Sequence, residues 1–224
     1  MSKKKKKSFK ARVQKGLILL LTPLVIFLFG IALFLWMGPS TVIDKTVQAI
    51  TNHIEDRNGG PPLPIEYVRL YQEAAEQYDI PWTLLAAVHR IETRFSTMDS
   101  LVSPVGAEGH MQFMPCTFVG WKHPSCSGLG KGDIPEEEKT DPAAIAKYGG
   151  YGVDANGDGI ADPFDIEDAV YSAAHYLSST GAKDGDIKGA LFNYNQSEQY
   201  VDDVYAFYEE YESRRYELEV AARK

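Results

Sequence analysis

Residues 16–37, GLILLLTPLVIFLFGIALFLWM, run for 22 positions without a charge. About 20 apolar residues cross the hydrocarbon core of a bilayer, and the run is longer than the apolar part of an ordinary signal peptide. A transmembrane helix is therefore expected, and it divides the chain before any other feature is considered. Ahead of it, residues 1–15 form a basic tail with eight Lys or Arg (Lys3 to Lys7, Lys10, Arg12 and Lys15) and no acid. A flank of this kind stays in the cytoplasm, which would place residues 38–224 outside. No A-x-A-like site follows Met37, so the sequence predicts a retained single-pass anchor in the cell membrane rather than a cleaved signal.

Charge separates the two sides. The chain has 23 basic and 31 acidic residues; without the eight basic residues of the tail, 15 stand against 31, a net of −16. A surface of that sign does not bind a polyanion unaided, so nucleic acid is excluded as a partner. Residues 38–64 read as a stalk: Ile43, Val47, Ile50 and Ile54 fit a short amphipathic helix, and NGGPPLP at 58–64 cannot continue one. Residues 65–216 suffice for one domain with its own core, and residues 217–224 read as a tail. Tyr67, Leu70, Tyr71, Ala74 and Tyr78 predict a first packing helix.

The chemistry is concentrated between Pro81 and Thr117. PWTLLAAVHRIETRF puts Leu84, Val88, Ile91 and Phe95 on one helical stripe, with Glu92 at its border. Burial there raises a carboxyl pKa, as a general acid near neutral pH requires. The bland alternative is that Glu92 pairs with Arg90 or Arg94, or points to water. VSPVGAEGHMQFMPCT comes next, with Gly106 and Gly109 three apart in a turn that can bring backbone close to a ligand, and then a helix expected over Gln112–Gly120.

A helical Glu, a short polar loop, G-A-x-G, then M-Q-x-M-P-x-T, and a later Y-N pair at Tyr194 and Asn195 resemble the lytic transglycosylases of the lysozyme-like superfamily. The resemblance covers roughly residues 70–211. It implies a mainly α, lysozyme-like (α+β superfamily) single domain acting on peptidoglycan glycan strands, with no cofactor for catalysis. By that likeness Glu92 protonates the oxygen joining N-acetylmuramic acid to N-acetylglucosamine. Ionised Glu92 then takes the proton of the sugar's own 6-hydroxyl, closing a 1,6-anhydro ring. No second acid is carried over; Asp99 and Glu108 are near in sequence, with Glu108 expected to face solvent. The substrate-binding residues it implies are Ser103, Gly109, Met111, Gln112, Tyr194 and Asn195. Thr93, His110 and Gln196-Ser197 depart from the family's pattern. Thr93 keeps a hydroxyl, and His110 is expected to be a peripheral loop histidine. The asparagine before Tyr194 and the acidic loop look like a membrane-anchored subgroup of Gram-positive bacteria and mobile elements. A tether would suit envelope growth, secretion or conjugation machinery. The rivals are an N-acetylmuramidase on the same fold and an inactive glycan-binding scaffold.

DANGDGIADPFD, residues 154–165, matches a calcium-loop pattern through Asp154, Asn156, Asp158, Ile160, Asp162 and Asp165, around Gly159. The twelfth residue is Asp rather than Glu, and no entering helix precedes the loop. A structural Ca2+ is expected; the alternative is a turn in which Asp165 caps a helix starting near Ile166. That helix would present Ala169, Val170, Ala173, Ala174 and Leu177. A helix over residues 200–216 would present Val201, Val204, Tyr205, Tyr208 and Tyr211, and most of the thirteen tyrosines should belong to the core. Cys116 and Cys126, the only cysteines, lie in or before a loop-rich insert over 122–152 and are either a disulfide or two thiols. H-E-x-x-H and G-x-S-x-G are absent.

Overall fold

The helix around Leu84 and Val88 is the one the rest of the domain surrounds. In the structure, a computed structural model that describes residues 61–223, every residue from Trp82 to Arg90 is buried. The spacing predicts one buried stripe; Ala86 on the opposite side and Ala87 on its flank are small enough to admit neighbours there too. The expected basic tail, the membrane anchor and the stalk up to residue 60 lie outside the described residues. Among the described residues no helix is long and apolar enough to cross a membrane.

Among the described residues nine α-helices follow one another: α1 (Val68–Tyr78), α2 (Trp82–Thr93), α3 (Pro115–Val119), α4 (Glu136–Lys139), α5 (Pro142–Tyr148), α6 (Ile166–Ser179), α7 (Ile187–Tyr194), α8 (Glu198–Ser213) and α9 (Arg215–Ala222). Short 3-10 turns occupy Ile65–Tyr67 and Ala182–Asp184. Extended pairing among the described residues is limited to isolated bridges of Glu108 with Val102 and Phe113. The mainly α expectation is met.

α2 packs on α8 and α1; α1 also meets α6, and α7 joins α6 to α8. The small-residue face of α6 is wholly buried as expected, at Ala169, Val170, Ala173, Ala174 and Leu177. Each fully buried Leu or Val contributes on the order of 2 kcal/mol. On α8 the buried set is Tyr200, Val201, Val204, Phe207 and Tyr211, so the inward face includes Phe207 while Tyr205 and Tyr208 are half-buried.

Three boundaries differ from expectation. The domain starts before residue 65, because Leu63 is buried and the Pro61 carbonyl accepts from Arg90 Nη1 at 2.9 Å. Residues 217–222 are not a tail but most of α9, with Leu218 wholly buried and Glu219 accepting from the Trp82 indole at 3.1 Å. The helix expected from Gln112 begins at Pro115, since Gln112 has φ +50° and Phe113 exchanges backbone bonds with Glu108. The insert is also more regular than its composition suggests, with α5 started by Pro142 and capped by Asp141. Cys116 and Cys126 are joined as a disulfide.

Candidate active site

α2 ends abruptly, and that ending aims Glu92. Arg94, Phe95 and Ser96 take φ of +52°, +58° and +64°, a left-handed run that non-glycine residues adopt at a cost of about 1 kcal/mol each. Phe95 anchors the run in the core, and a chain of side chains holds it from below. Tyr71 Oη lies 2.7 Å from His89 Nδ1, His89 Nε2 lies 2.7 Å from Ser96 Oγ, and Ser96 Oγ lies 2.6 Å from His110 Nδ1. His110 Nε2 ends the chain 2.8 Å from the Phe164 carbonyl, which can only accept, so each group donates towards that end. Burial and nearby His110 hold His89 down to about 3, and it stays neutral. Thr93 Oγ1 donates to the His110 carbonyl at 2.8 Å, which is what its hydroxyl does here. His110 is thus a loop-fastening residue, as expected.

Glu92 leaves the last turn of α2 into an open groove of about 710 Å³. Its residue is half-buried, but protein closes round the carboxyl, and burial pushes its pKa up to about 7. The opposing influence is Tyr200 Oη, which donates to Glu92 Oε1 at 2.6 Å. Arg90 does not pair with Glu92: it donates to Pro61 and Tyr211 and lies over the Phe207 ring. Among the described residues Glu92 is the only acid that lines the groove. Asp99 is exposed elsewhere, and Glu108, expected in solvent, is half-buried in an ion pair with Lys139 at 3.3 Å.

The residues expected to bind substrate separate into two groups. Ser103, Gln112, Tyr194 and Asn195 line the groove with Glu92. Ser103 Oγ accepts from Ala107 N–H, and Gln112 Nε2 donates to the carbonyls of Leu101 and Gly109, so both also shape the loop. Tyr194 donates to the Met111 carbonyl at 2.7 Å and stacks parallel to Tyr200 at 6.4 Å, which leaves its oxygen able to accept. Gly109 and Met111 do not line the groove. A Cβ on Gly109 would fall 1.9 Å from the Pro163 carbonyl oxygen, and Met111 is wholly buried. Both residues help the loop pack.

The spacing of the sequence predicts Tyr200 as the first residue of a core helix and gives it no part in the site. Ser197 was the available signal: its side chain accepts from Tyr200 N–H and starts α8 so that the first turn faces α2. Trp121, Leu129 and Val105 complete the groove and carried no motif.

Loop 154–165 is held by its own amides. Asp154 accepts from Gly157, Asp158 and Gly159, Asn156 from Asp158, Asp158 from Ile160, and Asp162 from Phe164. Asp165 caps α6 through Glu167 and Asp168, and buried Asp168 accepts from Ala155, Asn156 and Asp162. Ile160 is exposed. Among the described residues no three His, Cys, Asp or Glu side chains converge as a metal site. These bonds are the ones the capped-turn alternative requires.

A mainly helical domain whose central helix delivers one buried carboxyl to an open groove is consistent with the lysozyme-like class. Residues 69–216 match the Transglycosylase SLT domain family, and the chain belongs to it. Among curated proteins it is similar to the L-Ala--D-Glu endopeptidase of Bacillus subtilis (strain 168), 28% identical over 141 residues, which cover 62% of this chain and 40% of that protein. The chain therefore spans less than half of that relative's length. No solved structure matches.

Proposed function

We propose that the chain is a peptidoglycan lytic transglycosylase with Glu92 as its single acid and base. The observation that carries the reading is Glu92 itself, the sole groove-lining acid among the described residues, held at a pKa of about 7. A group poised there is substantially protonated at neutral pH and, once ionised, can recover a proton. In the first step Glu92 gives its proton to the glycosidic oxygen, and the bond from that oxygen to C1 of N-acetylmuramic acid breaks. The substrate's acetamido oxygen supports the positive charge at C1, the part a second carboxylate plays in two-acid glycosidases. The 6-hydroxyl oxygen then bonds to C1 and its proton returns to Glu92, so no water is consumed. Tyr200 steadies the carboxylate, while Gln112, Tyr194 and Asn195 face the sugar.

Muramidase action is the second reading, supported by the openness of the groove that Glu92 lines, which gives water a route to the reacting sugar. Peptide cleavage, the activity in the Bacillus relative's name, finds less support: the two cysteines are bonded to each other, and among the described residues no histidine lines the groove to activate Ser103 or Thr117. Anchoring through residues 16–37, with the domain outside the cytoplasm, completes the proposal and would confine cleavage to wall near the membrane. Calcium in loop 154–165 is part of it too, on the strength of the sequence pattern; the carboxylates would have to exchange amide partners for the ion. Calorimetric titration at millimolar calcium tests this, heat of binding supporting it and none leaving the loop self-capped.

The direct test of the acid is turnover of purified peptidoglycan by the parent chain and by Glu92→Gln. A loss of on the order of a thousandfold is expected, and unchanged turnover would remove the assignment.

A further inference from the structure

Trp121 lines the same groove as Glu92, yet the residue is left 51% exposed, with Val105 at 59% and Leu129 at 78%. Large apolar groups kept in water along a groove are not explained by core packing. Trp82 behaves differently, buried and donating its N–H to Glu219.

The indole is fixed in place from behind. A Cβ built on Gly130 would lie 3.0 Å from Trp121 Cζ2 and 3.1 Å from Cη2, so the ring packs closely on Gly130 and would have to give by a few tenths of an ångström for a larger residue. Gly130 is itself pinned, at φ +85°: its N–H donates to Ser127 and its carbonyl accepts from Cys116 N–H at 2.8 Å. Cys116 is buried in α3 and bonded to Cys126, which closes the loop leading to Leu129. An aromatic held this way loses little conformational entropy when a ligand covers it.

A flat apolar ring flanked by aliphatic side chains suits the C–H face of a pyranose. The amides of Gln112, Asn195 and Gln196 in the same groove suit its hydroxyl and acetamido edges. Resting on the proposed lytic transglycosylase activity, we infer that Trp121 is a sugar-stacking platform for one saccharide ring of the glycan strand, mounted on the loop that the Cys116–Cys126 bond closes. It binds and positions; it transfers no proton.

The test uses the full chain carrying Glu92→Gln, titrated with glycan strands stripped of their stem peptides. Tryptophan emission should shift to shorter wavelength and become less quenchable by acrylamide, and Trp121→Phe should abolish the shift while keeping binding within about threefold. Trp121→Ala should weaken binding about tenfold, the scale of one aromatic stacking contact. In the chain with Glu92 intact, Trp121→Ala should raise KM by about the same factor and move kcat by less than about twofold, as for a group that binds ground and transition states alike. An unchanged KM and emission, or an effect confined to strands that keep their stems, would overturn the platform. Emission is read without turnover, so the platform can fail while Glu92 stands, and the reverse.

Discussion

Two influences of opposite sign meet at Glu92. Burial favours its neutral form, and the Tyr200 hydroxyl favours its charged form; burial prevails, at about 7. In the proposed mechanism Glu92 must be protonated to start the reaction, so kcat/KM should fall as pH rises through that value. Tyr200→Phe removes the influence that lowers the pKa, so this descending limb should move to higher pH, with turnover retained to within about tenfold. No movement of the limb would mean that Tyr200 does not control the proton. The effect on stability has a definite sign. The ordinary glutamate value is 4.5 and the folded value is higher, so the native state is destabilised increasingly from pH 4.5 to 7 and fully above it. Glu92→Gln should therefore stabilise the protein at pH 8, by on the order of 2 kcal/mol after allowing for part exposure, and change little at pH 4. Melting at both pH values reads the difference, and equal effects would contradict a raised pKa.

At the scale of elements, the loop between α2 and α3 converts sequence into a site. Gly109 sits at φ +81° with Pro163 against its Cα, so Gly109→Ala should cost more than about 3 kcal/mol and lower activity through misplacement of Gln112. Denaturant unfolding measures it, and a change below about 1 kcal/mol would contradict the packing. Much of this frame was legible. Helical spacing located α1, α2 and α6, and Glu92 at the edge of its stripe, because burial leaves a periodic mark on the chain. Tyr200 and Trp121 were not legible, since each reaches the groove through long-range packing: α8 against α2, and Gly130 against the indole. Gly109 and Met111 looked like ligand contacts because a motif marks both residues that touch and residues that let others touch. Arg90 and Arg94 were reasonable partners for Glu92 in sequence, but the left-handed turn at Arg94 and the Tyr211 contact of Arg90 send them elsewhere.

Across the whole domain, the disulfide-closed loop and the single-acid groove fit the proposed action on peptidoglycan glycan strands. The Cys116–Cys126 bond closes a loop of ten residues in sequence separation. Replacing both cysteines by Ala should cost about 3 kcal/mol in the chain-entropy model, with Trp121 more accessible to acrylamide. Unaltered quenching would show that the loop does not depend on the bond.

The central claim, transfer to the sugar's own hydroxyl with Glu92 as acid and base, is tested most directly by mass spectrometry of the fragments that the chain releases from purified peptidoglycan. 1,6-Anhydromuramic ends that disappear with Glu92→Gln are the predicted result. Reducing muramic ends with the same dependence on Glu92 would contradict the transfer step and make the enzyme a muramidase; anhydro ends that persist in Glu92→Gln would contradict the role given to Glu92.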